Sequence, residues 1–144
     1  GLQGPYPEYL KVMKESFMLN LQNKPKESSE VVNLALIGPN FLEEERKNLI
    51  QILNSMEKHG NNPDSGHMAA VGSSPNRLER LNEISIPTLI IHGTEDPLIP
   101  VDHGLAISKE IKNSKELIIE GMGHNFPTSM IPSIIEKMVS HFNE

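Results

Sequence analysis

Two short apolar stretches, within Thr88–His92 and Glu116–Glu120, constrain this chain more than anything else in it. Each is continuous rather than alternating, the mark of a strand buried on both faces in a parallel sheet. Pro87 precedes the first, where a missing N–H does least harm. Between them Val101–Lys112 reads as a helix, with Val101, Leu105, Ile107 and Ile111 available for packing. Strand, helix, strand is a parallel unit with a right-handed crossover. Two strands are too few, because independent stability wants about three or more. Nothing before Pro87 alternates or runs apolar like a strand. The expectation is therefore an incomplete domain, the carboxy-terminal βαβα portion of a larger α/β protein.

The segment before this unit reads as helical. Pro7–Leu21 spaces Leu10, Met13, Phe17, Met18 and Leu21 as one face of a helix, which Asn23-Lys24-Pro25 ends. A second helix follows Ser28/Ser29 through Val31, Val32, Leu34, Ala35 and Ile37, and Gly38-Pro39 stops it. A third follows Asn40 as N-cap, with Leu42, Leu49, Ile52, Leu53 and Met56 as its stripe and Gly60 as its C-cap. Its Glu43–Glu45 run reads as a solvated first turn that complements the helix dipole. Gly60–Gly66 reads as a turn-rich connection and His67–Val71 as a short helix. Asn76–Glu83 is a short charged helix with Leu78 and Leu81 turned inward. The last segment is the most periodic, with Ile131, Ile134, Ile135, Met138, Val139 and Phe142 on one stripe, Ser129 as cap and Pro132 in the first turn. The division falls at residues 1–75, helical, and 76–144, α/β.

Composition excludes several functions. A formal charge of -6 gives no basic surface for nucleic acid. No apolar run approaches the roughly 20 residues that cross a bilayer, so no membrane partner is expected. The absence of Cys removes thiol nucleophiles, disulfides and thiolate metal sites. Together with a start that lacks a secretory pattern, this points to the cytoplasm. His59, His67, His103 and His141 share no metal-ligand spacing, and neither metal nor cofactor is expected.

The chemistry lies just after the two strands. Ligands of an open parallel sheet bind beyond the carboxyl ends of its strands. Asp96, in Gly93-Thr94-Glu95-Asp96-Pro97, follows the first strand. His124, in Gly121-Met122-Gly123-His124, follows the second. The crossover puts both at one sheet edge. A carboxylate accepting from one imidazole nitrogen fixes the tautomer and stabilises the imidazolium, leaving the other nitrogen to take a proton from a hydroxyl nucleophile. Pro97 stiffens the acid's turn, and Gly123 is expected to let the backbone turn sharply and aim the imidazole. Each residue alone also fits a plain loop position, since turns are rich in Asp. Glu95 is an alternative acid, and His92 reads as the end of a strand with a supporting role at most.

HGTEDPLIP (His92–Pro100) and GMGHNFP (Gly121–Pro127) resemble the acid and histidine motifs of the α/β-hydrolase fold, especially its esterase and lactone- or peroxidase-like branches. Ser74-Pro75-Asn76-Arg77 with Leu81, Ile84 and Ile86-Pro87 also resembles the helix leading into the penultimate strand of such enzymes. The resemblance covers Ala69–Phe142. It implies the chain order nucleophile, acid, histidine, and it makes residues 1–75 a helical cap over the pocket.

The nucleophile motif G-x-S-x-G is absent: Ser65 lies between Pro63 and His67, and Ser74 has Gly72 before it but Asn76 after. The pairs His59-Gly60, His92-Gly93 and His103-Gly104 lack the following Gly of an oxyanion loop. The expectation is a hydrolase acting on a small-molecule acyl substrate, with the Ser outside this chain and the chain alone inactive. Its partner is the missing amino-terminal lobe, or a second copy meeting the open sheet edge. Dehalogenase- or lyase-like chemistry on the same fold and a non-catalytic interaction module are the alternatives.

Overall fold

The computed structural model describes residues 4–57, 70 and 73–143. Three helices come first: α1 (Pro7–Leu21), α2 (Pro25–Ile37) and, after a 3₁₀ turn at Pro39–Phe41, α3 (Leu42–Glu57). A 3₁₀ segment at Leu78–Glu83 leads to β1 (Thr88–Gly93), α4 (Val101–Glu110) and β2 (Ser114–Ile119). A turn at Thr128–Met130 then opens α5 (Ile131–Phe142). Expectations for Gly60–Gly66 and for His67–Val71 lie outside the described residues, Ala70 excepted.

Local chemistry explains where α1 stops. Asn23 takes φ 58°, left-handed geometry that Asn tolerates. The Lys24 N–H then reaches the Leu19 carbonyl and the Asn23 N–H the Asn20 carbonyl, satisfying two orphan acceptors of the helix end. Pro25 opens α2 at once, where its missing N–H costs nothing. The seam between the two helices is polar. Ser28 Oγ donates to the Ser16 carbonyl and accepts from Asn20 Nδ2, so the Ser16 hydroxyl supplies the proton in the 2.7 Å Ser16–Ser28 contact.

That seam, and not the apolar stripe, is what α1 buries. Tyr9 and Ser16 are the buried residues of α1, whereas Leu10, Met13, Phe17, Met18 and Leu21 are exposed. The same holds in part for α4 and α5. Leu105 and Ile107 are exposed while Gly104, Ser108 and the adjoining Ile111 are buried, and of the α5 stripe Ile134 is buried but Ile131, Ile135, Val139 and Phe142 are not. Periodicity identifies an apolar face. It does not identify what covers it.

The strands pair in parallel from Thr88 opposite Ser114 to Gly93 opposite Ile119. Among the described residues neither strand has a second neighbour. Burial on both faces does not hold: Thr88–His92 are half-buried, and Lys115 and Glu116 at the start of β2 are exposed. Two apolar clusters form the core. Ile37 and Leu49 pack with Leu34 and Phe41, while Ile119, Met122 and Ile134 pack with Phe41, Ile91, Leu117, Met130 and Met138. Phe41 belongs to both and ties the helical part to the α/β part. No described helix is long and apolar enough to cross a membrane.

These placements separate two substitutions that look alike in sequence. Met122 is 1% exposed and Phe17 62% exposed. Met122→Ala is expected to cost about 2–5 kcal/mol, and Phe17→Ser less than about 0.5 kcal/mol. Urea midpoints of the two variants measure this, and equal losses would refute the placement of α1.

Candidate active site

The loops after β1 and β2 are stitched to one another before either side chain is considered. The Thr94 N–H donates to the Ile119 carbonyl, the Glu95 N–H to that of Met122, and the Gly121 N–H to Thr94 Oγ1. Gly121 makes the sharp turn, at φ 73°. Gly123, expected to do so, is needed for a different reason. A Cβ there would collide with the Leu36 carbonyl oxygen, so the position needs glycine for close approach.

Asp96 and His124 meet across this junction. His124 Nδ1 donates to Asp96 Oδ2 at 2.8 Å. The other carboxylate oxygen, Oδ1, accepts from the Leu98 and Ile99 amides, each at 2.9 Å, which closes the acid's own turn. His92 supports that turn from the strand. Its Nε2 donates to the Ile99 carbonyl at 2.8 Å and lies 3.4 Å from Asp96 Oδ2. Because a carbonyl only accepts, this nitrogen carries the proton. Gly104 in α4 leaves room for the imidazole, since any Cβ there would press on its Nδ1. Glu95, the alternative acid, is exposed and takes no part.

Electrostatics follow from this arrangement. Asp96 is 3% exposed, and burial pushes its carboxyl pKa up. The His124 hydrogen bond, the Ile99 and Leu98 amides and the His124 charge outweigh that push, and the net direction is down. His124 moves the other way. The bond to Asp96 raises its pKa, burial opposes, and the Asp96 charge adds to the rise. Its Nε2 has no hydrogen-bonding partner among the described residues, and the side chain is 36% exposed. A neutral imidazole so placed presents a lone pair outward.

The helical part reaches the site in three ways that local sequence did not signal. The Tyr6 N–H donates to the Pro97 carbonyl in the acid loop. Tyr9 is buried near Asp96, and burial, then the Asp96 charge, raise its phenol pKa. At the end of α2 the Ile37 and Leu36 carbonyls accept from the Gly123 and Asn125 amides, both at 2.9 Å, on either side of His124. These are orphan carbonyls of a helix end, used to hold another loop. Glu45 corrects the solvated reading of Glu43–Glu45: it is 7% exposed and accepts from the Thr128 N–H and hydroxyl.

Ser73 and Ser74 both donate to the Ala70 carbonyl, not to His124. Ser65 lies outside the described residues. Among the described residues no group of three or more His, Cys, Asp or Glu could hold a metal ion.

Known proteins repeat this architecture. The human alpha/beta hydrolase domain-containing protein 17B is 41% identical over 64 residues, 44% of this chain and 22% of that protein. Among solved structures, the esterase EaEST from Exiguobacterium antarcticum matches 95% of this chain and 48% of its own at TM-score 0.66 and 15% identity. The 2-hydroxy-6-oxo-6-phenylhexa-2,4-dienoate hydrolase from Rhodococcus sp. strain RHA1 matches 100% of this chain and 52% of its own, at TM-score 0.63 and 16% identity. The chain thus spans about half the length of these structures and about a fifth of that of the curated relatives it matches. Residues 61–143 match the α/β-hydrolase family described as TAP-like protein, and the chain belongs to that family.

Proposed function

We propose that this chain supplies the acid and the base of an α/β-hydrolase that cleaves a small ester or similar acyl substrate. The observation that carries the reading is the 2.8 Å bond from His124 Nδ1 to a buried Asp96 at the carboxyl ends of two paired strands, with Nε2 left open. In this mechanism Asp96 holds the tautomer that bears the proton on Nδ1. Nε2 takes the proton of a serine hydroxyl as its oxygen attacks the acyl carbon, then delivers it to the departing alcohol. Water repeats the cycle in reverse roles and frees the acid. No cofactor takes part.

The serine belongs to polypeptide outside residues 1–144. Residues 1–75 act as the cap, with α1 to α3 over the pocket. The edges of β1 and β2 that have no neighbour among the described residues are where the complementary lobe docks, or where copies of the isolated chain meet. Fluorophosphonate labelling tests the reading. The isolated chain is expected to stay unlabelled, and the full-length protein to be labelled on a serine beyond this chain. His124→Ala should slow that labelling by about 10²–10⁴-fold. Label mapped to Ser65, Ser73 or Ser74, or labelling indifferent to His124, would overturn it.

A further inference from the structure

We infer that Glu45 is a positioning residue for His124, holding the histidine loop in the register that lets Nδ1 reach Asp96. The inference rests on the acid-and-base reading of that pair. The two partners are not equally fixed. Asp96 is buried, closes its own turn through Leu98 and Ile99, and is braced by His92. His124 is more than a third exposed and makes one side-chain hydrogen bond. Packing does not set its ring, so the backbone that carries it must.

That backbone has anchors on both sides of the histidine. Upstream, Met122 is locked in the core and the Gly123 amide is bound to Ile37; immediately downstream, the Asn125 amide is bound to Leu36. Further along, the loop passes the buried Pro127 and reaches Thr128. There Glu45 Oε1 accepts from the Thr128 N–H at 2.6 Å and Oε2 from its hydroxyl at 2.7 Å. Thr128 opens the turn that becomes α5, and its amide is among the orphan donors of that helical run. No local side chain caps either segment, so the expected role of Ser129 as cap is filled by Glu45, 83 residues earlier in the chain. A carboxylate suits the position because it accepts both bonds and its charge favours a helix start. Buried, it has to be satisfied there. The downstream end of the histidine loop is thereby clamped to α3, as its centre is to α2.

A merely structural Glu45 would alter melting and nothing else, so the titration of His124 separates the two roles. Asp96 and, behind it, Tyr9 and His92 are the ionisable groups at this position. The His124 midpoint is measured by NMR in the full-length protein, its ring signal assigned by loss in His124→Ala. Asp96→Asn sets the full fall expected when the pair is broken. Glu45→Gln, which keeps the shape and one acceptor, is expected to give at least half of that fall. Thr128→Val should give a smaller fall, and Thr128→Ser, which keeps both donors, none. If Glu45→Gln does not fold, the two Thr128 variants carry the same comparison. Midpoints at the wild-type value in Glu45→Gln and Thr128→Val, with Asp96→Asn shifted, overturn the clamp alone. An unshifted Asp96→Asn removes the acid-and-base reading and the clamp with it.

Discussion

Asp96→Asn is expected to lower ester hydrolysis by the full-length protein by about 10⁴-fold while leaving it folded. The loss comes from two sources. An asparagine can turn its amide nitrogen toward the imidazole, which then accepts at Nδ1 and carries its proton on Nε2, where the base should be. It also cannot balance the imidazolium that forms as the serine proton moves. The pH dependence carries the same signature. Asp96 titrates below its ordinary 3.8, so its contribution to stability is present above that value and disappears as pH falls through the lowered one. His124 titrates above its ordinary 6.5, so its contribution is present below 6.5 and disappears as pH rises through the raised value. The stability deficit of Asp96→Asn should therefore be largest between 3.8 and 6.5 and shrink on either side. Urea melts across that range check it, and a deficit constant with pH would contradict the pairing. On the proposed mechanism the rate of ester hydrolysis should climb only as His124 loses its raised proton.

The second large effect concerns a residue outside both motifs. Gly38 ends α2 at φ 93°, and a Cβ there would collide with the Gly123 nitrogen and the Gly121 carbonyl, both backbone atoms with little room to yield. Gly38→Ala combines left-handed strain with displacement of the histidine loop, and a loss of about 3 kcal/mol is expected. Guanidinium melts measure it. The same variant should lower the His124 midpoint, because the Leu36 and Ile37 carbonyls move with the glycine. Stability within about 0.5 kcal/mol of the parent would mean the strap between α2 and the loop is absent in solution.

What the sequence made legible follows a physical division. Pro7, Asn23-Lys24-Pro25 and Gly38-Pro39 act on their own neighbourhoods, so the bounds of α1 and the end of α2 were readable, whereas α2 starts at Pro25 and not after Ser28/Ser29. The meeting of Asp96 and His124 was readable because strand ends bring motif residues to a known edge. Four things were not. The exposure of Phe17 and its neighbours depends on what lies across from α1, which periodicity does not contain. Glu45 sits in an acidic run whose ordinary fate is water, and its partner Thr128 is 83 residues away. Gly121 and Gly123 look interchangeable in GMG, yet one serves a left-handed turn and the other a near collision of backbones. The polar start of β2 at Ser114-Lys115-Glu116 was hidden because exposed strand residues carry no apolar signal.

Phe41 sets how these parts come undone. Its ring is shared by the cluster around Ile37 and Leu49 and by the one around Ile119, Met122 and Ile134. A boundary drawn near residue 75 therefore divides the chain by topology and not by cooperativity. Exchanging the first three helices for those of a relative would remove a wall of the core beneath the histidine's strand. A change at Phe41 would therefore loosen the helical cluster and the cluster under the histidine's strand together.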